Sequence, residues 1–286
     1  MKPLEGCIVA VVGLGLMGGS LAGALRGQCR EVLGVARHPE SIDAAIQRDL
    51  IDRGGTDAAA LLPRADVVVL ATPVRVILQQ IREFGPLLAK GALLMDLGST
   101  KREILAVMEG LPEGVQALGG HPMCGKEASG LEAADPSLYR GRTFILCPLG
   151  RTTRDALDLG RKIAEAAGAT PLTLDGVRQD HLVATISHLP YLLACSLVQT
   201  ADETTSSDPA AWQVVADGYR DTSRVAGSDV TMMTDILMTN RADVMNAARV
   251  FSAKLSGLVE LLDQEDEQAL IDMLTSSRAE RRRMFP

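Results

Sequence analysis

The sequence predicts an α/β protein: an N-terminal doubly wound, mostly parallel sheet followed by a C-terminal all-helical domain. Three observations carry this. An apolar run over residues 9–12 feeds directly into Gly13-Leu14-Gly15-Leu16-Met17-Gly18 and then into a helix-forming stretch. Short apolar runs then alternate with helical patterns as far as residue 174, the rhythm of a parallel sheet covered by helices. After Asp175 the strand signal stops and only helical patterns follow. A length of 286 residues fits two domains better than one. The expected division is residues 1–174 and residues 175–286.

The first element is a strand, a tight turn and a helix start. In G-x-G-x-x-G, Gly13 allows the turn, Gly15 lets backbone approach a pyrophosphate, and Gly18 lets the helix pack on the strand. The helix start, from Leu16 and Met17, offers free N–H groups to phosphate. A second apolar strand, 31–36, follows within one βαβ unit, which makes the first domain Rossmann-type and dinucleotide-binding. At the end of that strand an NAD site carries Asp or Glu for the ribose 2′-hydroxyl. Here the residues are Val35-Ala36-Arg37-His38. A guanidinium without a carboxylate suits a 2′-phosphate, so NADP is expected, with NAD possible.

Further strands are expected at 67–71, 92–97, 115–118 and 143–147, with helices at 40–48, 74–84 and 100–109. A last helix and strand, 153–167 and 171–174, close the layer. Chemistry in such a sheet lies at the carboxyl ends of the strands. Three segments fall there: Thr72-Pro73, Gly98-Ser99-Thr100 and Gly119-Gly120-His121-Pro122-Met123. A histidine between Gly-Gly and Pro reads as held in a turn, with no helical face to bury it, and so as a catalytic candidate.

The second domain is expected to hold helices at 177–203, 209–215, 229–237, 241–262 and 265–283. Pro190 cannot donate to the Ile186 carbonyl, so the first of these should kink beside His188. His181 lies on nearly the same face. The polar run Gly218-Tyr219-Arg220-Asp221-Thr222-Ser223-Arg224 reads as a break between helices. Its arginines, Arg220 and Arg224, suit bidentate capture of a carboxylate. An apolar stripe over 242–262 recurs at i, i+3, i+4 and i+7, and in so small a domain it calls for a partner subunit.

Net charge is −7, which argues against nucleic acid or an anionic membrane as partner and leaves a small molecule. Five scattered cysteines without C-x-x-C argue against a disulfide framework or a metal site, and indicate reducing cytoplasm. Residues 8–25 are uncharged, yet five of the eighteen are Gly, so no membrane span is expected there. No other stretch is expected to reach membrane length.

Five segments together resemble the motif set of the prephenate and arogenate dehydrogenases. They are the residue 13–20 loop, Asp96-Leu97-Gly98-Ser99-Thr100-Lys101, Gly120-His121-Pro122-Met123-Cys124-Gly125, Ser187-His188-Leu189-Pro190 and Tyr219-Arg220-Asp221-Thr222-Ser223-Arg224. The match runs in order from residue 8 to about 260. The resemblance implies a homodimer, a Rossmann domain joined to a helical dimerisation domain, and NAD(P)-dependent oxidative decarboxylation leading to tyrosine. It makes His121 the acceptor of the substrate's ring hydroxyl proton and Ser99 a partner of the same hydroxyl. His188 would orient substrate and Arg224 would hold a carboxylate. Glu127 matches a position where relatives often carry an acid that gates or tunes the pocket, and Lys126 beside it departs from the family pattern. An imidazole with an ordinary pKa near ~6.5 suits such a base, which places the expected acid limb of turnover within a unit of that value.

Prephenate and arogenate stay open at this stage; the NADP-like strand end after Val35 and the sequence as a whole resemble the cyanobacterial arogenate enzymes, which tilts the expectation toward arogenate. A β-hydroxyacid dehydrogenase or imine reductase shares the architecture, but hydroxyacid enzymes use a lysine on the first helix of the second domain, and residues 176–203 contain none. A non-catalytic NADP-sensing regulator is the other alternative. No regulatory domain is expected after the helices, so tyrosine feedback would act at the active site.

Overall fold

The computed structural model describes residues 1–126 and 128–285. The N-terminal strands are β1 Ile8–Val12, β2 Glu31–Val35, β3 Arg53–Gly55, β4 Val67–Leu70, β5 Leu93–Asp96, β6 Gln116–Pro122, β7 Thr143–Pro148 and β8 Thr170–Thr173. Between them run α1 Leu16–Leu25, α2 Pro39–Gln47, α3 Ala58–Leu61, α4 Val74–Phe84, α5 Arg102–Met108 and α6 Arg154–Ala166. Among the described residues they form one eight-stranded sheet in the order β3-β2-β1-β4-β5-β6-β7-β8. Only the β6–β7 pairing is antiparallel.

Alternation along each strand divides the core into two layers. In β1, Val9 and Val11 join the layer under α1 and α6, while Ile8, Ala10 and Val12 join the layer under α4 and α5. Burial on both faces is why these strands read as continuous apolar runs. Helix α4 buries Val74, Ile77, Ile81 and Phe84, one stripe at helical spacing.

Three sheet details depart from expectation. β3 is Arg-Gly-Gly, with no bulky apolar residue to announce it, and α3 is a single turn of four residues. β6 continues four residues past 118, because β7 supplies an antiparallel partner beyond the end of β5: His121 sits opposite Ile145 and Pro122 opposite Phe144. His121 is therefore on a strand and not in a turn. The glycines before it serve close approach, since a Cβ on Gly120 would stand 2.4 Å from the Asp96 carbonyl oxygen.

The helical part comprises α7 Gly176–Val183, a π-helical turn Ala184–His188, α8 Leu189–Thr205, α9 Asp217–Ser223, α10 Val230–Thr239, α11 Arg241–Asp263 and α12 Glu267–Met284. The missing Pro190 N–H is accommodated by the wider π turn. Where a helix was expected over 209–215, only a 3-10 turn at Ala211–Gln213 forms. The polar run after it is helical, as α9, with the Thr222 and Ser223 hydroxyls donating to the carbonyls of Gly218 and Tyr219 at 2.7 and 2.6 Å. Hydroxyls satisfied on their own helix do not break it. The continuous run Gly176–Thr205 is long and apolar enough to cross a membrane by length and composition, contrary to expectation, and 28% of its most apolar window is buried.

The two parts are tied by polar contacts. Arg75 pairs with Asp235 at 3.4 Å, Arg102 with Asp243 at 2.7 Å, and the hydroxyls of Thr100 and Thr239 meet at 2.8 Å. Met233 and Ile236 of α10 complete the core layer under α4.

Candidate active site

Three glycines shape the turn after β1. Gly13 has φ +96°, and a Cβ there would meet the Thr72 methyl at 2.7 Å. A Cβ on Gly18 would lie 1.9 Å from the Gly13 carbonyl oxygen, whereas at Gly15 it would meet nothing within 4 Å. Gly15 thus opens onto free space at the N-terminus of α1, where first-turn N–H groups favour an anion. This cradle fits a dinucleotide pyrophosphate. Tyr139, fully buried, donates its hydroxyl to the Met17 carbonyl at 2.7 Å and so braces the cradle. It lies 122 residues away, beyond the reach of sequence pattern.

A cleft of about 920 Å³ runs from this turn to the helical part. It brings together Gly15, Leu16, Met17, Arg37, Thr72, Pro73, Ser99, His121 and Lys126 with Ser187, Asp229, Met232 and Met233. Arg37, just past β2, is exposed at its rim and makes no ion pair with described residues. Lys126 pairs with Asp135 at 3.0 Å. Arg220 and Arg224 are exposed on α9 and the following turn, outside this lining, although Gly227 and Ser228 just beyond them belong to it. Glu127 lies outside the described residues.

His121 is the residue before the last of β6, with only 7% of its surface exposed. Behind it lies a wholly buried ion pair, Lys101 with Asp96, which sequence reading did not single out as a pair. Lys101 also donates to the Gly120 carbonyl at 2.7 Å, and Asp96 accepts from the Gly98 and Gly120 N–H groups at 2.7 and 3.2 Å. One ion pair thus locks α5, β5 and β6 around the histidine. Burial, and then the Lys101 charge, pull the His121 pKa down to about 3. The expectation of an ordinary value is corrected: the ring is neutral at cellular pH by a wide margin.

His188, at the end of the π turn, is buried outside the cleft lining. Burial lowers its pKa to about 4. Both histidines stay neutral in the folded state and charge in the unfolded one from about pH 6.5 downward. The unfolded state then binds more protons, so stability is expected to fall as pH drops from about 6.5, with the loss complete near the folded values of about 3 and 4. Melting temperatures between pH 7 and 4 check this, and His188→Leu should flatten the slope. His181 stands apart, exposed and 3.6 Å from Asp243.

A glycine cradle at a helix start, a cleft between sheet and helices, and a neutral imidazole at a strand end define a two-domain nicotinamide-nucleotide dehydrogenase. The prephenate dehydrogenase nucleotide-binding domain matches residues 21–172, and the prephenate dehydrogenase dimerization domain matches residues 176–276. The chain belongs to the prephenate dehydrogenase family. It is 30% identical to prephenate dehydrogenase of Lactococcus lactis over 92% of this chain and 73% of that one. Among solved structures, A. aeolicus prephenate dehydrogenase, in complex with hydroxyphenyl propionate and NAD+, superposes with a TM-score of 0.91 at 31% identity, covering 99% of this chain and 100% of that one. Synechocystis arogenate dehydrogenase gives 0.83 at 29%, covering 97% and 99%.

Proposed function

We infer that the protein catalyses NAD(P)-dependent oxidative decarboxylation of prephenate or arogenate, in the cytoplasm, as a step of tyrosine biosynthesis, with His121 as the base. Family membership makes it an oxidoreductase of this kind. The observation that carries the residue assignment is a neutral imidazole lining the same cleft as Ser99 and the glycine cradle. A dinucleotide held at Gly13, Gly15 and Gly18 and along the cleft lining would supply the acceptor for the hydride that leaves the carbinol carbon. His121 accepts the proton of the ring hydroxyl, which Ser99 also bonds, and carbon dioxide leaves as the ring becomes aromatic. His188 orients the substrate from the helical side. Arg224 holds a carboxylate, with Arg220, Lys126 and Glu127 as further substrate contacts. Steady-state assays of both substrates with both cofactors test this reading: turnover of at least one pair supports it, and none with any pair overturns it. The resemblance of the NADP-like strand end after Val35 to the cyanobacterial arogenate enzymes tilts the reading toward arogenate.

Arg37 carries the cofactor preference. The guanidinium lines the cleft just past β2 and would meet a 2′-phosphate where an NAD enzyme presents an acid to the ribose. Arg37→Ala is expected to raise the KM for NADP by roughly tenfold or more, the weight of one charge-assisted contact, and to leave that for NAD nearly unchanged. A wild type that prefers NAD, with a variant unchanged toward both, would remove the assignment.

The exposed apolar residues of α11 and α12, among them Val250, Leu255, Val259, Leu262, Ile271 and Leu274, support a homodimer joined through the helical parts. They lie in the segment that matches the dimerization domain. Light scattering should give twice the chain mass at micromolar concentration, with an interface more apolar than ordinary surface. A monomer at that concentration refutes it.

A further inference from the structure

We propose that two buried amides, Gln179 on α7 and Asn240 between α10 and α11, impose opposite tautomers on His121 and His188, so that His121 accepts a proton and His188 donates a hydrogen bond. The proposal rests on both histidines belonging to the active site.

Neutral imidazole carries its proton on one ring nitrogen, and the partner of the other nitrogen decides which. Gln179 has no exposed surface. Its Nε2 lies 2.8 Å from the Asp180 carboxylate and 3.4 Å from the Ser99 carbonyl, both acceptors. That fixes the orientation of the amide, so its Oε1 faces His121 Nδ1 at 2.9 Å. An oxygen there requires Nδ1–H, which leaves the lone pair on Nε2. Asp180 is itself held by the Lys101 and Arg102 N–H groups at 2.7 and 2.8 Å, so the chain of acceptors has a fixed end.

Asn240 is turned the other way. Its Nδ2 donates to the Asp180 carbonyl at 2.7 Å, and the same Nδ2 lies 3.3 Å from His188 Nδ1. With an N–H group facing it, His188 Nδ1 is the acceptor and the proton sits on Nε2. That Nε2 is buried and makes no hydrogen bond with any described residue. A buried donor left without a partner is costly; Ser187, next to it in the chain, lines the cleft, and a substrate oxygen that reaches past Ser187 is the group that would satisfy it. Lys101 is the charge that acts on the neutral His121 ring. A substrate presenting a hydroxyl proton at one end and an acceptor oxygen at the other fits only this pair of tautomers. If they were exchanged, donor would face donor at His121 and acceptor would face acceptor at His188.

The test is the nitrogen spectrum of 15N-histidine-labelled wild type at neutral pH, with signals assigned through His121→Asn and His188→Asn. Expected are Nδ1–H on His121 and Nε2–H on His188, and any other combination overturns the proposal. Gln179→Leu should lower kcat roughly tenfold or more, since misplaced proton transfer loses part of its usual contribution, with the KM for cofactor unchanged. Gln179→Glu keeps an acceptor at Nδ1 provided that its other oxygen carries a proton to donate to Asp180 in place of the lost N–H, so it should restore part of kcat. Asn240→Asp should reverse the His188 tautomer and raise the substrate KM with cofactor KM unchanged. A Gln179→Leu protein that loses only melting temperature would count against the proposal. Should His121→Asn retain near-normal turnover, the base assignment itself falls. Inactive His121→Asn together with the wrong tautomers sinks only the role of the amides.

Discussion

His121→Asn is expected to lower turnover by roughly 10²- to 10⁴-fold, the range for losing a positioned proton acceptor, while cofactor binding stays close to that of the parent protein. Asn keeps a polar group of similar reach but cannot take the proton. The pH profile separates this from a packing role. With the His121 pKa held down to about 3 by burial and the Lys101 charge, the ring remains a competent base far into acid. The acid limb of turnover in the parent protein should therefore lie well below pH 5.5, and not within a unit of the ordinary histidine value. An Asn variant with near-normal turnover, or a parent limb near 6.5, would contradict this account of the site.

Lys101→Met is expected to destabilise the fold by about 3–5 kcal/mol, the usual cost of leaving a buried charge without its partner. Lys101 and Asp96 both have no exposed surface, and burial already pushes the Asp96 carboxyl up against the opposing pull of Lys101. Without the ammonium, Asp96 must either stay charged in an apolar interior or take up a proton. The Gly120 carbonyl also loses a donor, which loosens the end of β6 that presents His121. Adding Asp96→Asn should recover part of the loss, because a neutral amide carries no buried charge and its one oxygen can still accept from Gly98 or from Gly120. Urea or thermal melts of the single and double variants measure both, and a single variant within 1 kcal/mol of the parent would refute the argument.

How much of the site can be read from sequence depends on how local its causes are. Gly13, Gly15 and Gly18 are legible because the turn, the opening and the helix contact are all made within a few residues or with the adjoining strand. Thr72, Ser99 and His121 are legible as strand-end residues, because the position of a strand end follows from the periodicity. The extension of β6 is not legible: Gly119-Gly120 read as a turn, and only the arrival of β7 makes the segment a strand. α9 was hidden for a related reason, since its polar residues satisfy themselves on their own helix.

The residues that complete the site come from far along the chain. Tyr139 reaches the Met17 carbonyl, Gln179 reaches His121 across 58 residues, and Asn240 reaches His188 across 52. Nothing in the local spacing marks any of them, because a buried Gln or Asn has no periodic signature and each partner is specified only in three dimensions. By itself the sequence determined the doubly wound sheet, the helical second half, the nucleotide turn and the candidate base, all of which follow from periodicity and backbone freedom within short windows. The protonation state of that base was decided by the tertiary structure alone. Desolvation and the charge of Lys101 are sums over groups that only folding brings within a few ångströms of the ring, and they move the imidazole from an ordinary titrating histidine to one that stays neutral.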